Sequence, residues 1–279
     1  MGKRRKKDQN IDGLHEHYLI EKELAVRLWN ATKEERRSLY KSIYNELFQR
    51  VPSIAVPDRK HLSTSRATLR QIRMLKPFLN EGIRFLEIGP GSCALSFEVS
   101  KHVREVYAVD VSEEIVNAHS CPENFHLILY NGVDIPVPDN SVDIVYSHHL
   151  MEHLHPEDAR DQLQDIYKKL TPGGLYICIT PNRIFGPSDI SRYFDETTTG
   201  LHLKEYTHTE VLEMMKEAGF SEVVALVGTK NMRLRTRCPV VLLQAVEAVF
   251  LSLPGTLSKR IATNRKMKRL LTVKLIARK

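Results

Sequence analysis

This sequence of 279 residues lacks several features that would assign it to a specialised class of protein. Its four cysteines, Cys93, Cys121, Cys178 and Cys238, are too widely spaced for a disulfide framework or a metal-ligand pattern. No apolar run reaches the roughly 20 residues that a membrane-spanning helix needs. The basic start, residues 1–7, is followed by polar residues, which argues against a signal peptide. We therefore expect a cytoplasmic protein with reduced cysteines.

The composition is that of an ordinary soluble globular protein, but the charge is unevenly distributed. Hydrophobic residues make up 42% and charged residues 27% of the chain, and the net charge is +7. Five bases lie in the first seven residues, and nine more follow from Lys259 onwards, where acids are absent. Such ends can bind nucleic acid or an anionic membrane surface, or can simply aid solubility. We do not expect nucleic acid as a partner, because the middle of the chain is not basic.

The chain is organised around one glycine-rich stretch, residues 85–94, which reads FLEIGPGSCA. The apolar run at 83–88 predicts a buried strand, and a helix is expected from about Ser92. Gly89 and Gly91 have no β-carbon, so the turn can be tight and its backbone can lie against a ligand.

A second predicted strand, residues 106–109, delivers Asp110 at its carboxyl end, nineteen residues after Gly91. This spacing places a carboxylate beside a bound ribose at the switch point of a doubly wound sheet. Two cofactors fit. Gly89-x-Gly91-x-x-Ala94 matches the dinucleotide fingerprint, which would imply NAD and an oxidoreductase. Glu87, however, would repel a pyrophosphate, and it suits the ammonium group of S-adenosylmethionine (SAM).

The stretch Glu87-x-Gly89-x-Gly91 resembles the first motif of the class I SAM-dependent methyltransferases, of the type-11 or type-23 small-molecule kind. A predicted helix, then Leu170-x-Pro172-Gly173-Gly174 and a buried strand at 175–180, is similar to a further specific feature of this superfamily. An NAD dehydrogenase has no reason to carry that feature, so the resemblance favours SAM as the cofactor. It covers roughly residues 66–279.

The resemblance implies an α/β fold, a Rossmann-like doubly wound sheet of seven strands whose last strand, near 273–277, is antiparallel. It implies a SAM-binding domain at 81–279, preceded by an N-terminal helical extension or cap at 1–80. A capping box that begins at Thr32 predicts one of the cap's helices. The cap can be a purely structural lid or can cover the active site. A helical insertion at about 238–270 is expected to pack on the domain or in a homodimer, with weak membrane contact as the alternative.

The resemblance also implies a set of cofactor contacts. Asn131 stands where relatives carry an acid that accepts a hydrogen bond from the adenine amino group. Asp134, three residues on, is the alternative acceptor or an ordinary turn residue. Ser147 ends a predicted strand where the cofactor and the methyl acceptor meet. The implied cofactor-binding residues are Glu87, Gly89, Gly91, Asp110, Asn131, Asp134 and Ser147.

Histidines are concentrated just after Ser147, four of them within eight residues. The spacing of His149 and His153 would put them on one helical face, but no Glu follows the first histidine directly as in His-Glu-x-x-His, so we expect no metal. We expect one of these two histidines to contact the acceptor. His202, on a loop that helps form the acceptor pocket in relatives, is the third candidate catalytic residue.

The sequence thus predicts a SAM-dependent methyltransferase that transfers a methyl group to a small-molecule acceptor, most readily a hydroxyl oxygen, by in-line displacement. Imidazole titrates near neutral pH, so a histidine can take the hydroxyl proton. Enzymes that methylate nucleobase amino groups carry an Asn/Asp/Ser-Pro-Pro-aromatic strand end, and this chain has Ser-His-His-Leu at 147–150. The alternative is a non-catalytic, SAM-binding or nucleic-acid-associated interaction module. The intact Gly89, Gly91 and Asp110 argue against it.

Overall fold

The computed structural model describes residues 2–52, 65–112, 121–227, 236–253, 255–262 and 264–279. The α-helices of this part of the chain are α1 (Gly2–Asn30), α2 (Lys33–Arg50), α3 (Arg66–Leu75), α4 (Ala94–Val99), α5 (Pro156–Lys169), α6 (His208–Glu217), α7 (Val240–Ser252), α8 (Gly255–Ala262) and α9 (Arg265–Leu271). Its strands are β1 (Arg84–Ile88), β2 (Glu105–Asp110), β3 (Phe125–Leu129), β4 (Val142–His148), β5 (Leu170–Thr180), β6 (Glu222–Val227), β7 (Thr236–Pro239) and β8 (Val273–Arg278). The linker predicted at 57–60 and the helix predicted over 113–119 lie outside the described residues.

The described strands form one mixed sheet in the order β3-β2-β1-β4-β5-β8-β6-β7. Strands β1 to β5 pair in parallel, whereas β8 runs antiparallel to both β5 and β6. This confirms the doubly wound α/β sheet with an antiparallel last strand. From β1 the chain builds the sheet outward on one side, through β2 to β3. It then returns to add β4 on the other side of β1. The crevice at this reversal lies above the carboxyl ends of β1 and β4, where such sheets bind their ligands.

The sequence predicted seven strands, but the described residues form a sheet of eight. Strand β7 adds to the edge of the sheet by pairing antiparallel with β6. Its sequence, Thr-Arg-Cys-Pro, lacks an apolar alternation and ends in a proline, which removes a backbone donor. Such a segment is typical of a loop or of an edge strand, and only its pairing distinguishes the two.

Successive residues of β1 alternate between the two layers of the core. Phe85 joins a cluster with Leu75 of α3 and Val99 of α4. Leu86 and Ile88 join the larger cluster, which contains residues of α1, α2, α5 and α6. Because helices cover both faces, the apolar residues of β1 are buried on both sides of the sheet, as expected of a parallel strand.

Helix α2 is fixed to α5 by a buried ion pair. Nε and Nη2 of Arg36 donate to the two carboxylate oxygens of Asp158 at 2.6 and 2.9 Å. The hydroxyl of Tyr40 donates to the same carboxylate at 2.7 Å and accepts from the backbone N–H of His155 at 2.9 Å. The side chains of Arg36 and Asp158 are only 3% and 1% exposed. This two-pronged geometry sets the rotation of α2 about its own axis.

The capping box predicted at the start of α2 is confirmed. Thr32 accepts from the N–H of Glu35, and the Glu35 carboxylate accepts from the N–H of Thr32 at 2.8 Å. At the middle of α2, Tyr40 lies against Gly132, where an added β-carbon would come within 2.8 Å of the tyrosine ring. Gly132 also has φ +90°, so a larger residue there would be both crowded and strained.

The helices of the insertion, α7 to α9, lie between β7 and β8. One face of α7 packs on the domain through Glu247, whose carboxylate accepts from Asn182 Nδ2 at 2.6 Å and from the backbone N–H of His208 at 2.8 Å. Phe250 of α7 packs with Ile184, Phe185 and Leu271 in a small separate cluster. Among the described helices, none has both the length and the apolar character needed to cross a membrane.

The buried pair of Arg36 and Asp158 should contribute to the stability of the fold. Asp158→Ala leaves the Arg36 charge buried without a partner, so we expect it to lower the free energy of unfolding by about 3–5 kcal/mol. Glu157→Ala is the matched control, because Glu157 also accepts from Arg36 but its side chain is 64% exposed. The control should change stability little. Urea denaturation followed by circular dichroism measures both, and equal small effects would show that the pair does not hold α2.

Candidate active site

A cleft at the carboxyl ends of the central strands brings the glycine loop, the acid of β2 and two of the histidines together. It encloses about 790 Å³ of empty space, counted out to its open mouth. Its lining residues are Tyr40, Tyr44, Phe48, Gly89, Gly91, Asp110, Val111, Ser112, Tyr130, Gly132, His149, Leu150, His153 and Leu154. The lining therefore combines predicted cofactor residues with aromatic side chains of α2.

The loop after β1 has the backbone that its glycines predicted. Gly89 and Gly91 have φ values of +67° and +53°, and the N–H of Gly89 donates to the carbonyl of Val109 at 3.0 Å. A β-carbon added at Gly91 would meet no atom within 4 Å. The backbone of this loop is therefore open towards the cleft, and a side chain at Gly91 would occupy space that a ligand can use.

Asp110 ends β2 at the cleft and is 9% exposed. Its carboxylate accepts from the N–H of Ser112 at 3.1 Å. Burial raises the pKa of Asp110 to about 6, although bonds from the backbone of Ser112, Val111 and Gly91 counteract the rise. A buried carboxylate with acceptor capacity to spare suits the hydroxyl groups of a ribose.

Glu87 lies behind the loop rather than in the cleft lining. It shares the face of β1 that carries Phe85, so it points towards α4, where its carboxylate accepts from the Ser96 hydroxyl. Burial raises the pKa of Glu87 to about 7, against the effect of the bonds from Ser96. In this position Glu87 links the end of β1 to α4, the two elements that the glycine loop connects.

Three further predicted cofactor residues are absent from the cleft lining. Ser147 is buried, with its hydroxyl 2.8 Å from that of Tyr176. Asn131 forms a turn in which its Oδ1 accepts from the backbone N–H groups of Val133 and Asp134 at 3.0 and 2.8 Å. The exposed carboxylate of Asp134 accepts from the Asn131 side chain at 2.7 Å. Asn131 and Asp134 flank Gly132, which does line the cleft.

His149 comes directly after β4, and its side chain lines the cleft. Its backbone conformation is strained. Its φ is +56°, a conformation rarely adopted by a residue with a β-carbon, and its N–H donates to the carbonyl of Ile179 at 2.9 Å. Its Nδ1 lies 2.8 Å from Oε1 of Glu152, and its side chain is 47% exposed. His149 is thus held at one ring nitrogen and open at the other end.

Glu152 is a fully buried acid beside the cleft. Besides the bond with His149, it accepts from the hydroxyl of Thr180 at 2.9 Å. Burial acts to raise the pKa of Glu152, but the bond with His149 and the neighbouring imidazoles lower it to about 2. Glu152 is therefore ionised at neutral pH.

His153 and His202 form a pair at the side of the cleft, with ring centroids 4.7 Å apart and perpendicular planes. Nδ1 of His153 bonds the carbonyl of Leu201 at 3.1 Å, and burial together with His202 lowers the pKa of His153 to about 4. Nδ1 of His202 lies 2.8 Å from Oε1 of Glu205. Burial acts to lower the pKa of His202, but Glu205 and Glu152 raise it above its usual value. His202 lines a neighbouring cleft rather than the first one.

A metal ion could be held where these groups converge. Glu152, His153 and His202 each offer one ligand atom, and the three atoms lie within 4.8 Å of one another. Both oxygens of Glu152 already accept protein hydrogen bonds, so a metal would have to share them. The sequence predicted no metal site, because these groups come from two distant segments and do not form the His-Glu-x-x-His pattern of a single helix.

The sequence-based site omitted several residues that the fold brings in. Tyr40, Tyr44 and Phe48 lie at four-residue intervals on α2, a spacing that predicts one helix face but not what that face contacts. The spacing His149-x-x-Glu152 is the sequence signal that indicates Glu152 as a partner of His149. The same pattern recurs in His202-x-x-Glu205, and in both pairs the structure bonds the histidine to the acid.

Residues 86–178 match the family model described as a methyltransferase domain of type 11. A probable SAM-dependent methyltransferase of Mycolicibacterium smegmatis is 30% identical over 138 residues, which are 48% of this chain and 51% of that relative. A relative of Mycobacterium tuberculosis with the same description is 30% identical over 140 residues. The chain spans about half the length of the curated relatives it matches.

Residues 86–178 form a class I SAM-dependent methyltransferase domain.

Solved structures agree on the fold. A SAM-dependent methyltransferase from Archaeoglobus fulgidus superimposes with a TM-score of 0.52 at 20% identity, covering 86% of this chain and all of that one. Because the identity is low, this likeness concerns the fold alone.

The cofactor of this methyltransferase domain is SAM, and the residues present fit it. The open backbone at Gly91 offers space that a β-carbon would fill, and Asp110 offers a buried acceptor beside it. The lining contains no phosphate-binding lysine or arginine among its described residues, which suits a cofactor without phosphate. The resemblance to an NAD site is therefore limited to the spacing of its glycines.

The pKa of Asp110 is about 6 before ligand binding, so we expect the affinity of the protein for SAM to depend on pH. Protonation as the pH falls through 6 removes acceptor capacity, so affinity should weaken from pH 8 to pH 5. Asp110→Asn should weaken binding at pH 8 by roughly 1.5–3 kcal/mol and flatten this dependence. Calorimetry with S-adenosylhomocysteine measures both effects, and NAD should give no heat of binding.

Two control variants identify the source of the effect. Asp139→Asn alters an exposed acid that pairs with Lys169, away from the cleft, and should bind as the wild type does. Glu87→Gln removes the other raised carboxyl group and should retain a pH response centred near 6. If the pH dependence of binding disappeared in Glu87→Gln and persisted in Asp110→Asn, Asp110 would not be the group responsible for it.

Proposed function

We propose that this protein transfers the methyl group of SAM to a hydroxyl oxygen of a small molecule, with His149 as the base that takes the hydroxyl proton. The observation that carries the proposal is the hydrogen bond between His149 and the buried Glu152 at the edge of the cleft. SAM would supply a methyl group on a sulfonium, whose departure as a neutral thioether requires no acid from the protein.

The Glu152 carboxylate determines which nitrogen of His149 can act as the base. An ionised carboxylate can only accept hydrogen bonds, so Nδ1 of His149 carries the proton in this pair. Nε2 is then left with a free lone pair. When Nε2 takes a proton, the charge formed on the ring lies next to a buried anion that stabilises it. Glu152 is therefore a positioning residue for His149, as the acid is in other acid–histidine pairs.

The other two histidines suit this role less well. A pKa of about 4 makes His153 a weak base, and its Nδ1 is committed to the carbonyl of Leu201. His202 has a raised pKa through Glu205, but it faces the neighbouring cleft. We propose that His153 contacts the acceptor and that His202 acts through His153, since their rings are in contact.

The walls of the cleft suggest the acceptor's chemical class. Tyr44, Phe48, Leu150 and Leu154 surround the histidines with aromatic and apolar surface. Among the described lining residues there is no lysine or arginine that would attract a phosphate. These features favour an uncharged acceptor with an aromatic or apolar body and a hydroxyl group.

The roles of the remaining predicted residues follow from their positions. We propose that Gly89, Gly91 and Asp110 contact SAM directly, and that Glu87 holds the glycine loop in place from behind. We propose that the turn of Asn131 and Asp134 presents Gly132 to the adenine. Residues 1–80 then act as a cap over residues 81–279, because α2 supplies one wall of the cleft. Excluding water from this wall strengthens the electrostatic interactions of the base.

A screen for release of S-adenosylhomocysteine with phenols and alcohols tests the proposal. With an acceptor found, His149→Ala should lower kcat by about 10²–10⁴ while SAM affinity is preserved. His126→Ala is the matched control, because His126 also forms a close pair with an acid, 2.7 Å from Glu105, but does so at the exposed edge of the sheet. It should methylate at the wild-type rate.

Two outcomes would contradict the proposal in different ways. Wild-type turnover by His149→Ala would exclude a histidine base at this position, leaving an enzyme that works by alignment alone. SAM binding without turnover on any acceptor would favour the non-catalytic interaction module.

A further inference from the structure

Helix α7 presents an apolar face to the surface. Val241, Leu242, Val249 and Leu251 are 63%, 57%, 59% and 56% exposed. A helix on the surface of a soluble domain normally carries polar and charged residues on its outer face. An outer face of this composition marks a contact with another apolar phase or partner.

The exposed face of α7 carries no charge at all. At helical spacing its inner positions are Val240, Leu243, Glu247 and Phe250, all buried. Its exposed positions are Val241, Leu242, Ala245, Ala248, Val249, Leu251 and Ser252. The one charged residue of the helix, Glu247, is thus turned inward, the reverse of the usual pattern.

The bonds of Glu247 fix this orientation. Its carboxylate accepts from the side chain of Asn182 and from the backbone and ring of His208 at 2.6 to 2.8 Å. Turning α7 to hide its apolar face would break these bonds and leave the carboxylate buried without partners, which is costly. The apolar face is therefore presented outward by a specific buried network.

The two helices that follow α7 carry further exposed apolar side chains and exposed cations. Leu257 and Ile261 of α8 are 44% and 38% exposed. Lys266 and Lys268 of α9 are exposed as well. From residue 248 to the end of the sequence there are nine lysines and arginines and no acid. We call α7, α8 and α9 together the C-terminal helical surface.

We propose that the C-terminal helical surface docks on an anionic lipid bilayer, with the exposed face of α7 in the apolar part of the interface. Apolar side chains combined with cations and without acids match such a surface in both hydrophobicity and charge. This proposal does not depend on methyl transfer.

A second copy of this chain fits the surface less well. In a two-fold dimer the same patch meets itself, so the cations of the C-terminal helical surface would face those of the other copy. The absence of acids from residue 248 onwards means that this segment cannot neutralise them. Anionic lipid headgroups supply the missing negative charge.

Sedimentation of the full chain with lipid vesicles tests the proposal. We expect binding to vesicles that mix phosphatidylcholine with phosphatidylserine, little binding to phosphatidylcholine alone, and weaker binding at high salt. Leu242→Gln/Val249→Gln should reduce binding at least tenfold. The matched control is Leu19→Gln/Leu69→Gln, which alters two exposed leucines of α1 and α3 and should bind as the wild type does.

Charge variants test the contribution of the lysines of α9. Lys266→Gln/Lys268→Gln should weaken binding to the anionic vesicles and reduce its salt dependence, whereas Lys101→Gln/Lys216→Gln should leave both unchanged. Circular dichroism and SAM binding establish that each variant is folded.

Three results would overturn the proposal. One is the absence of vesicle binding by the wild type at low salt, and another is undiminished binding by Leu242→Gln/Val249→Gln. The third is a wild-type dimer in analytical ultracentrifugation that this double variant converts to a monomer, which would assign the face to a second copy of the chain.

Discussion

The buried pair of Arg36 and Asp158 is the constraint on which the cleft depends. It joins α2 to α5 across a separation of 122 residues and sets which face of α2 meets the sheet. Since Tyr40 shares the same carboxylate, the aromatic side of α2 must face the cleft. Two charges taken out of water are unfavourable on their own, but three hydrogen bonds to the Asp158 carboxylate give the pair a single geometry. Helix α2 therefore forms one wall of the cleft, although it contributes little to the family resemblance.

Two further buried polar networks lie close together in the chain, one at the cleft and one at the insertion. Glu152 orients His149 and accepts from Thr180 at the end of β5. Two residues later Asn182 donates to Glu247 of α7. Each acid in this series is buried and hydrogen-bonded, so each fixes an element that apolar packing alone would leave free to rotate. One network holds the proposed base, and its neighbour holds the apolar face of α7 outward.

The fold, and the position of Gly89, Gly91 and Asp110 at the cleft, could be predicted from the sequence because their signals are local. The loop at Gly89 and Gly91 and the acid at Asp110 each follow directly from the strand before them. The acceptor side could not be predicted in the same way. Glu152 is not marked by metal-ligand spacing, and a hydrogen bond between His149 and an acid three residues on depends on how the loop folds. Contacts between α2 and the cleft, and between His153 and His202, join segments far apart in the chain, and nothing in either segment alone specifies them.

The most direct test of this account is a crystal structure of the protein with S-adenosylhomocysteine bound. The account predicts that the ribose hydroxyls lie within hydrogen-bonding distance of the Asp110 carboxylate and that the backbone at Gly91 contacts the ligand. It also predicts that the sulfur faces the part of the cleft where Nε2 of His149 is open, with Tyr44 and Phe48 across the remaining space. A ligand bound away from Asp110, or a sulfur separated from His149 by the wall of α2, would contradict it.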